Sequence, residues 1–299
     1  MKCLRGTRTP GSPARRVRRY PSSRITDEGN PARGLPADVR SSRVNTAAVR
    51  DPWWTEWFGE GYLAAYPARD DFEARRHAAF VSRLLGAAAS AGQVAFLDLA
   101  CSTGRHAVVL SGGGGVAGID GSLSRLGEAR RREKTPSPGF AQGDIRRLPF
   151  RSAIFGAVVS FFPTIGTFES AEDDVRILRE VRRVLAPGGV FLASGVNSER
   201  LLSALATQEE KTIAGRRISI RRRFRPPSGR LEKEIRVWSG SAERLFRHEV
   251  RVSSLADLRS LFRKAGFEEP DAMGDFDGRP FRPLRSDRLV LLARRAESE

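Results

Sequence analysis

The sequence predicts an open, mostly parallel α/β sheet with helices on both faces, plus an inserted three-stranded antiparallel sheet. Three observations carry this expectation. Short apolar runs of strand length alternate with amphipathic helical stretches from residue 72 to residue 294, the pattern of parallel strands joined by crossover helices. The alternation breaks once, over residues 215–252, where three stretches of alternating residues are separated by two turn segments. The chain has 299 residues and is 40% hydrophobic, enough for a sizeable core.

The elements follow in order. Residues 72–90 have helical periodicity, with Phe80, Val81, Leu84 and Leu85 on one face. "VAFLDLA" (94–100) is a nearly all-apolar run, as expected of a parallel strand covered on both sides. A short helix is expected over 103–111 and a second strand over "GVAGID" (115–120). A helix over 123–132 carries Leu123, Leu126 and Ala129, "PGFAQGD" (138–144) is a brief third strand, and "IFGAVVSFF" (154–162) is a fourth. Ser170 and Asp173 form a capping-box pattern for a helix over 171–185. Its stripe is Ile177, Leu178, Val181, Val184 and Leu185, and Pro187-Gly188-Gly189 ends it. "GVFLASGV" (189–196) is a fifth strand. Ser254 and Asp257 cap a later helix with Leu255, Leu258, Leu261, Phe262 and Ala265 inward, and "RLVLLAR" (288–294) closes the sheet.

Charge is concentrated in two places. Residues 1–50 hold 12 Lys/Arg against 3 Asp/Glu, and residues 211–251 hold 13 against 4, while the whole chain carries +17. The remainder is close to neutral, so basicity belongs to a tail and to the inserted segment. Residues 1–50 are rich in Arg, Ser, Pro and Gly without apolar periodicity and are expected to be disordered. They are read as a disordered or spurious extension, the true start then lying nearer Val49, or else as a nucleic-acid-binding arm or a transit segment. Residues 51–299 form the folded domain, with 212–252 as an inserted sheet that caps the substrate pocket or forms a dimer interface. No apolar run reaches the ~20 residues of a membrane span. Two cysteines exclude a disulfide scaffold and a Cys-based zinc cluster, and three scattered histidines offer no metal motif.

The chemistry concentrates in "FLDLACSTGRHA" (96–107), a strand ending in an acid, a turn of small residues and a helix start. Small residues let the backbone approach a ligand, and the exposed N–H groups of the helix start favour an anionic group. Asp98 suits a cationic ammonium. Asp120, at the end of the second strand, is placed to accept hydrogen bonds from both hydroxyls of a ribose. Asp144, after the third strand, is placed to accept from the exocyclic amine of an adenine.

Together, "LDLACSTGRHA", "GIDGSLSRLGEAR", "GDIRRLPF", "ILREVRRVLAPGGVF" and "LRSLFRKAGFEE" resemble class I S-adenosylmethionine-dependent methyltransferases, from about residue 53 to residue 294. The front segment "WF…GYL…Y" looks like the aromatic entry helix of the family's small-molecule members. The resemblance implies a Rossmann-like seven-stranded sheet whose last strand is antiparallel. It implies S-adenosyl-L-methionine as cofactor, held at its methionine end by Asp98 and the turn of Ala100, Cys101, Ser102 and Gly104. Asp120, with Gly121 and Ser122, serves the ribose, Asp144 and Ile145 the adenine, and Phe161 lies near the methyl group. Two departures stand out. Ser102 occupies the turn's usual central glycine, at a cost of ~1 kcal/mol if its φ is positive, and Gly156 follows Phe155 where the family usually has Asp.

The expected activity is therefore methyl transfer to an oxygen or nitrogen atom of a small-molecule acceptor, by a cytoplasmic protein that is monomeric or homodimeric. No metal is implied. Tyr62, Tyr66 and His248 are the candidate proton acceptors, His248 because it alternates in phase with Phe246, Val250 and Val252. The plainer reading makes the tyrosines packing residues, Trp53, Trp54 and Trp57 a core or flap, and Cys101 and His106 packed groups. Two alternatives remain. One is an RNA-directed enzyme using the Arg-rich tail and sheet on phosphates. The other is a non-catalytic cofactor-binding scaffold.

Overall fold

The computed structural model describes residues 71–86, 94–113, 115–132, 138–213 and 215–297. The tail, the three tryptophans at 53, 54 and 57, and the candidates Tyr62 and Tyr66 lie outside the described residues.

The chain runs α1 (Asp71–Leu85), β1 (Phe96–Leu99), α2 (Arg105–Leu110), β2 (Val116–Asp120), α3 (Leu123–Arg131), β3 (Gly139–Gln142), β4 (Phe155–Ser160), α4 (Ala171–Val184), β5 (Leu185–Val196) and α5 (Ser198–Ser203). It continues through β6 (Gln208–Ile213), β7 (Arg216–Arg225), β8 (Arg230–Ser239), β9 (Ala242–Arg251), α6 (Leu255–Lys264), β10 (Asp271–Met273) and β11 (Arg288–Arg294).

Seven strands form one sheet in the order β10-β11-β5-β4-β1-β2-β3. Neighbours from β5 to β3 are parallel, and β11 runs antiparallel to β5 and β10. Successive side chains of β1 point to opposite faces, so Phe96 packs with Phe80, Leu110 and Leu126, while Leu97 packs with Ile177, Leu178 and Phe262. Helices α1 to α3 thus cover one face and α4 and α6 the other. The order reverses direction at β1 and β4, and their carboxyl ends open the crevice where α/β sheets take ligands.

Two helix caps form as the sequence predicts. The Ser170 side chain accepts from the Asp173 N–H, and Ser254 with Asp257 completes a reciprocal capping box. Helix α4 ends at Val184, and fully buried Leu185 already belongs to β5, paired with Phe155 ahead of a register shift in that ladder. Gly156 is also explained: a Cβ there would sit 2.9 Å from Val94 Cγ1, so β4 has no room for a side chain at that position.

The predicted three-stranded insertion is four-stranded, ordered β6-β7-β8-β9 and antiparallel throughout. It begins at Gln208 rather than 212. Strand β6, "QEEKTI", has one apolar residue, Ile213, so hydrophobic alternation does not reveal it. The sheet has its own small core of Ile218, Ile220, Ile235, Val237 and Phe246. Links to the main body include Arg251, whose N–H donates to the Gly166 carbonyl at 2.7 Å and whose guanidinium pairs with fully buried Asp174, and Arg230, whose Nη1 donates to the Glu169 carbonyl at 3.2 Å.

Candidate active site

The β1–α2 turn is built from left-handed residues. Ala100, Ser102 and Gly104 have φ of 57°, 53° and 68°. Only glycine adopts this region without steric cost, so Ala100 and Ser102 each store roughly 1–2 kcal/mol. Such outliers persist where surrounding bonds over-determine them, typically at ligand clamps. Here the Cys101 N–H donates to the Ile119 carbonyl at 3.0 Å and the Ser102 N–H to Asp120 Oδ2 at 2.8 Å. Gly104 has a second constraint, since a Cβ would meet Phe140 at 2.7 Å. The expected cost of Ser102 is therefore real. Its hydroxyl is nonetheless held to one side, accepting from Arg125 Nη1 at 2.6 Å.

The two strand-end acids differ in environment. Asp98 is 2% exposed and accepts from the Ala107 N–H at 3.1 Å. Burial, reinforced by nearby Asp120, pushes its pKa up to about 8. Asp120 accepts one backbone N–H on each oxygen, from Ser102 at 2.8 Å and Ser122 at 2.9 Å. Burial raises its pKa too, against the Ser122 and Ser102 bonds, buried Arg125 and the Gly121 N–H. A carboxylate has about four acceptor positions, so Asp120 keeps acceptor capacity for a ribose hydroxyl. A buried acid at the cavity wall is stabilised most by an arriving ammonium. These residues fit S-adenosylmethionine, whose ammonium and ribose hydroxyls match Asp98 and Asp120.

A side cavity of about 80 Å³ is lined by Ala100, Asp120, Gly121, Asp144, Ile145 and Phe168, among others. This is the expected adenine position. Asp144 does not stand alone there. Arg146 grips it through Nε at 3.0 Å and Nη2 at 2.6 Å, while its guanidinium lies 4.6 Å over the Phe168 ring. Arg146 thus fixes the direction of the carboxylate.

The main cavity has a volume of about 910 Å³. It runs from Asp98 and the turn, past Phe161, Phe162 and Pro163, to the inserted sheet. Phe161 stacks on His106 with centroids 4.0 Å apart, and His106 Nε2 lies 3.1 Å from His77 Nδ1 in a hydrogen bond. Burial and the surrounding arginines lower the His77 pKa to about 3, so that imidazole is neutral. Cys101 is buried, and burial drives its thiol pKa well up, which makes it an inert packing group.

His248 reaches the same cavity from β9. Burial, with Lys233 and Arg230, lowers its pKa to about 4, so it is neutral at pH 7 and presents a lone pair. The structure therefore gathers Asp98, Ala100, Cys101, Ser102, Asp120, Phe161 and His248 around one space, with Asp144, Ile145 and Gly121 around the adjoining one. Gly104 and Ser122 support the turn and the Asp120 carboxylate rather than lining either space.

Two features escape the sequence reading. On α3, Leu123 is 49% exposed and Arg125 is 2% exposed, the reverse of the expected pattern. Positions 125, 126 and 129 share a face, so the spacing is present, but an arginine is rarely fully buried. Burial lowers its pKa to about 10, and it remains charged beside Asp120. The second feature is the cationic wall of Lys211, Arg222 and Lys233 on the sheet side of the cavity. A solvated face is the ordinary expectation for the Arg run of 216–225. Strand alternation instead turns Arg222 inward while Arg221 and Arg223 stay exposed.

Comparison with known proteins gives a consistent picture. Residues 97–193 match the family described as a methyltransferase domain. The Bacillus subtilis (strain 168) protein YqeM, which carries a methyltransferase name, is 27% identical over 213 residues, 68% of this chain and 84% of that protein. The cypemycin N-terminal methyltransferase of a Streptomyces species is 24% identical over 202 residues, 66% of this chain and 82% of that protein. Among solved structures, the CcbJ methyltransferase from Streptomyces caelestis has a similar fold. Its TM-score is 0.66 at 23% identity, covering 82% of this chain and all (100%) of that one.

Proposed function

The chain belongs to the class I S-adenosylmethionine-dependent methyltransferases, and from that premise we propose that it methylates an oxygen or nitrogen atom of a small-molecule acceptor. The observation that carries this reading is the single cavity of about 910 Å³ joining the cofactor residues to His248. That volume is within the range of small-molecule sites, roughly 300–1,000 Å³. The bound cofactor supplies a methyl group activated by the positive charge of its sulfonium.

The protein's own task is alignment and exclusion of water. Asp98 holds the ammonium, Asp120 the ribose hydroxyls, and Asp144 with Ile145 the adenine. Phe161, braced by His106, forms the wall where the acceptor lies. His248, neutral at pH 7, takes the proton that an oxygen or nitrogen nucleophile releases. The inserted sheet serves as the cap of the acceptor pocket.

The RNA-directed alternative needs free cations on the sheet's outer face. On that face Arg225 pairs with Glu232, Arg230 with Glu249 at 3.1 Å and Arg236 with Glu234 at 3.1 Å, while Arg221 and Arg223 stay exposed. The scaffold alternative rests on Ser102 and Gly156. The hydroxyl of the first is held by Arg125 and the second is required by Val94, so both have structural explanations.

Titration of S-adenosylmethionine and S-adenosylhomocysteine into the full chain by calorimetry tests the site. Micromolar binding is expected, weakened at least about tenfold in Asp120→Asn, which preserves an acceptor for the Ser102 N–H. Absence of binding by the unmutated protein would overturn the assignment.

A further inference from the structure

Arg125 stands where an arginine is costly on two counts. It is 2% exposed, and a cation taken out of water loses solvation that only close partners replace. It also lies in the first turn of α3, after the N-cap Ser122, where the helix dipole disfavours positive charge. No acidic side chain in that turn offsets it. Helix stability and core packing would both favour an apolar residue at this position.

The neighbours of Arg125 form a closed circuit. Its Nη1 donates to Ser102 Oγ at 2.6 Å. Ser102, held at a φ of 53°, donates its N–H to Asp120 Oδ2 at 2.8 Å. Asp120 Oδ1 accepts from the N–H of Ser122 at 2.9 Å, the cap of the helix that carries Arg125. Across the circuit the two charges attract. Arg125 opposes the rise that burial imposes on the Asp120 pKa, and Asp120 opposes the fall that burial imposes on that of Arg125. Ser102, Asp120 and Arg125 all line the main cavity. Both the charge-assisted bond and the attraction are stronger away from water. Ser102 is thus more than a strained substitute for glycine. A glycine there would relieve the φ but would offer Arg125 no side-chain acceptor.

We propose that Arg125 is a positioning residue of the cofactor site: through the Ser102 hydroxyl and the charge of Asp120, it holds the turn and the carboxylate in the arrangement that receives the ribose. The assignment rests on the reading that Asp120 binds the ribose hydroxyls, and it names the group that keeps Asp120 charged and aimed. Without Arg125, Ser102 loses the bond that helps to keep it in a strained conformation. Asp120 loses the cation that favours its ionised form. Both losses fall on recognition of the ribose, while Asp98 and Asp144 keep their own partners, the Ala107 N–H and Arg146.

The test titrates S-adenosylhomocysteine and its 2′-deoxy and 3′-deoxy analogues into the full chain by calorimetry at pH 7. The unmutated chain should bind the parent ligand about tenfold or more tighter than at least one analogue, the scale of a hydroxyl bonded to a carboxylate. In Arg125→Met that preference should shrink to about threefold, the scale of a hydrogen bond between uncharged groups. Arg125→Lys, which keeps the charge, should retain most of it. Ser102→Ala should also reduce the preference, and Arg125→Met should add less in that background than alone. Ser102→Ala leaves both charges in place and carries the test if Arg125→Met does not fold. A preference unchanged in Ser102→Ala, or all three ligands weakened equally in Arg125→Met, overturns the proposal, since Arg125 would then only pack. Equal binding of the parent ligand and both analogues by the unmutated chain overturns the assignment of Asp120 to the ribose, and the proposal with it.

Discussion

Replacing Asp98 with asparagine should stabilise the cofactor-free fold at neutral to alkaline pH while impairing cofactor binding. The Asp98 carboxyl is 2% exposed, and its pKa rises from an ordinary 3.8 to about 8 on folding. Between those values the folded chain keeps a proton that the unfolded chain releases. Stability therefore falls as pH rises across this window, by about 1.4 kcal/mol per pH unit. From pH 6 to pH 8 the loss is about 2 kcal/mol, allowing for half-ionisation at the upper limit. The substituted amide would not titrate, and its side-chain oxygen would still accept from the Ala107 N–H. The difference in melting temperature between Asp98→Asn and the unmutated chain should widen in favour of the variant by about 4–8 °C from pH 6 to pH 8. S-adenosylhomocysteine brings an ammonium that favours the carboxylate, so at pH 6.5 its binding should release close to one proton, read from calorimetry in buffers of different ionisation enthalpy. The variant should bind far more weakly and release none through this group. A melting difference independent of pH, or binding without proton release, would refute the reasoning.

Two further outcomes test the scaffold around the site. Arg251→Met would strand the fully buried Asp174 carboxylate and should destabilise by about 3–5 kcal/mol in denaturant unfolding. Much of that loss should return in Arg251→Met/Asp174→Leu, and a single-variant cost under about 1 kcal/mol would show that the link is not closed in solution. Gly156→Ala places a Cβ 2.9 Å from Val94 Cγ1 and should cost about 1–3 kcal/mol. Val94→Ala in the same chain should relieve it, and additive losses in the double variant would contradict the packing argument.

Much of the strand and helix order was legible because it depends on local periodicity. The buried parallel strands read as continuous apolar runs, and α4 and α6 carried both a stripe and a cap at Ser170 and Ser254. The turn from Ala100 to Gly104 and the strand-end acids were legible because close backbone approach and carboxylate placement leave marks in residue type. Strand β6 was not, since one apolar residue in six gives no alternation. Its place comes from a hydrogen-bonded ladder to β7 that sequence periodicity does not encode.

The sequence by itself determined the sheet's class, the clustering of small residues beside Asp98, and the division of charge between tail, insertion and body. Only the tertiary structure decided which charges face inward. Strand pairing set Arg222, Lys233 and His248 side by side from three different strands. Helix packing buried Arg125 against Ser102, 23 residues earlier in the chain. It also gave Asp98 a pKa of about 8 by removing water from it. Each of these depends on neighbours distant in sequence, whose positions are fixed only when the apolar faces of sheet and helices close together.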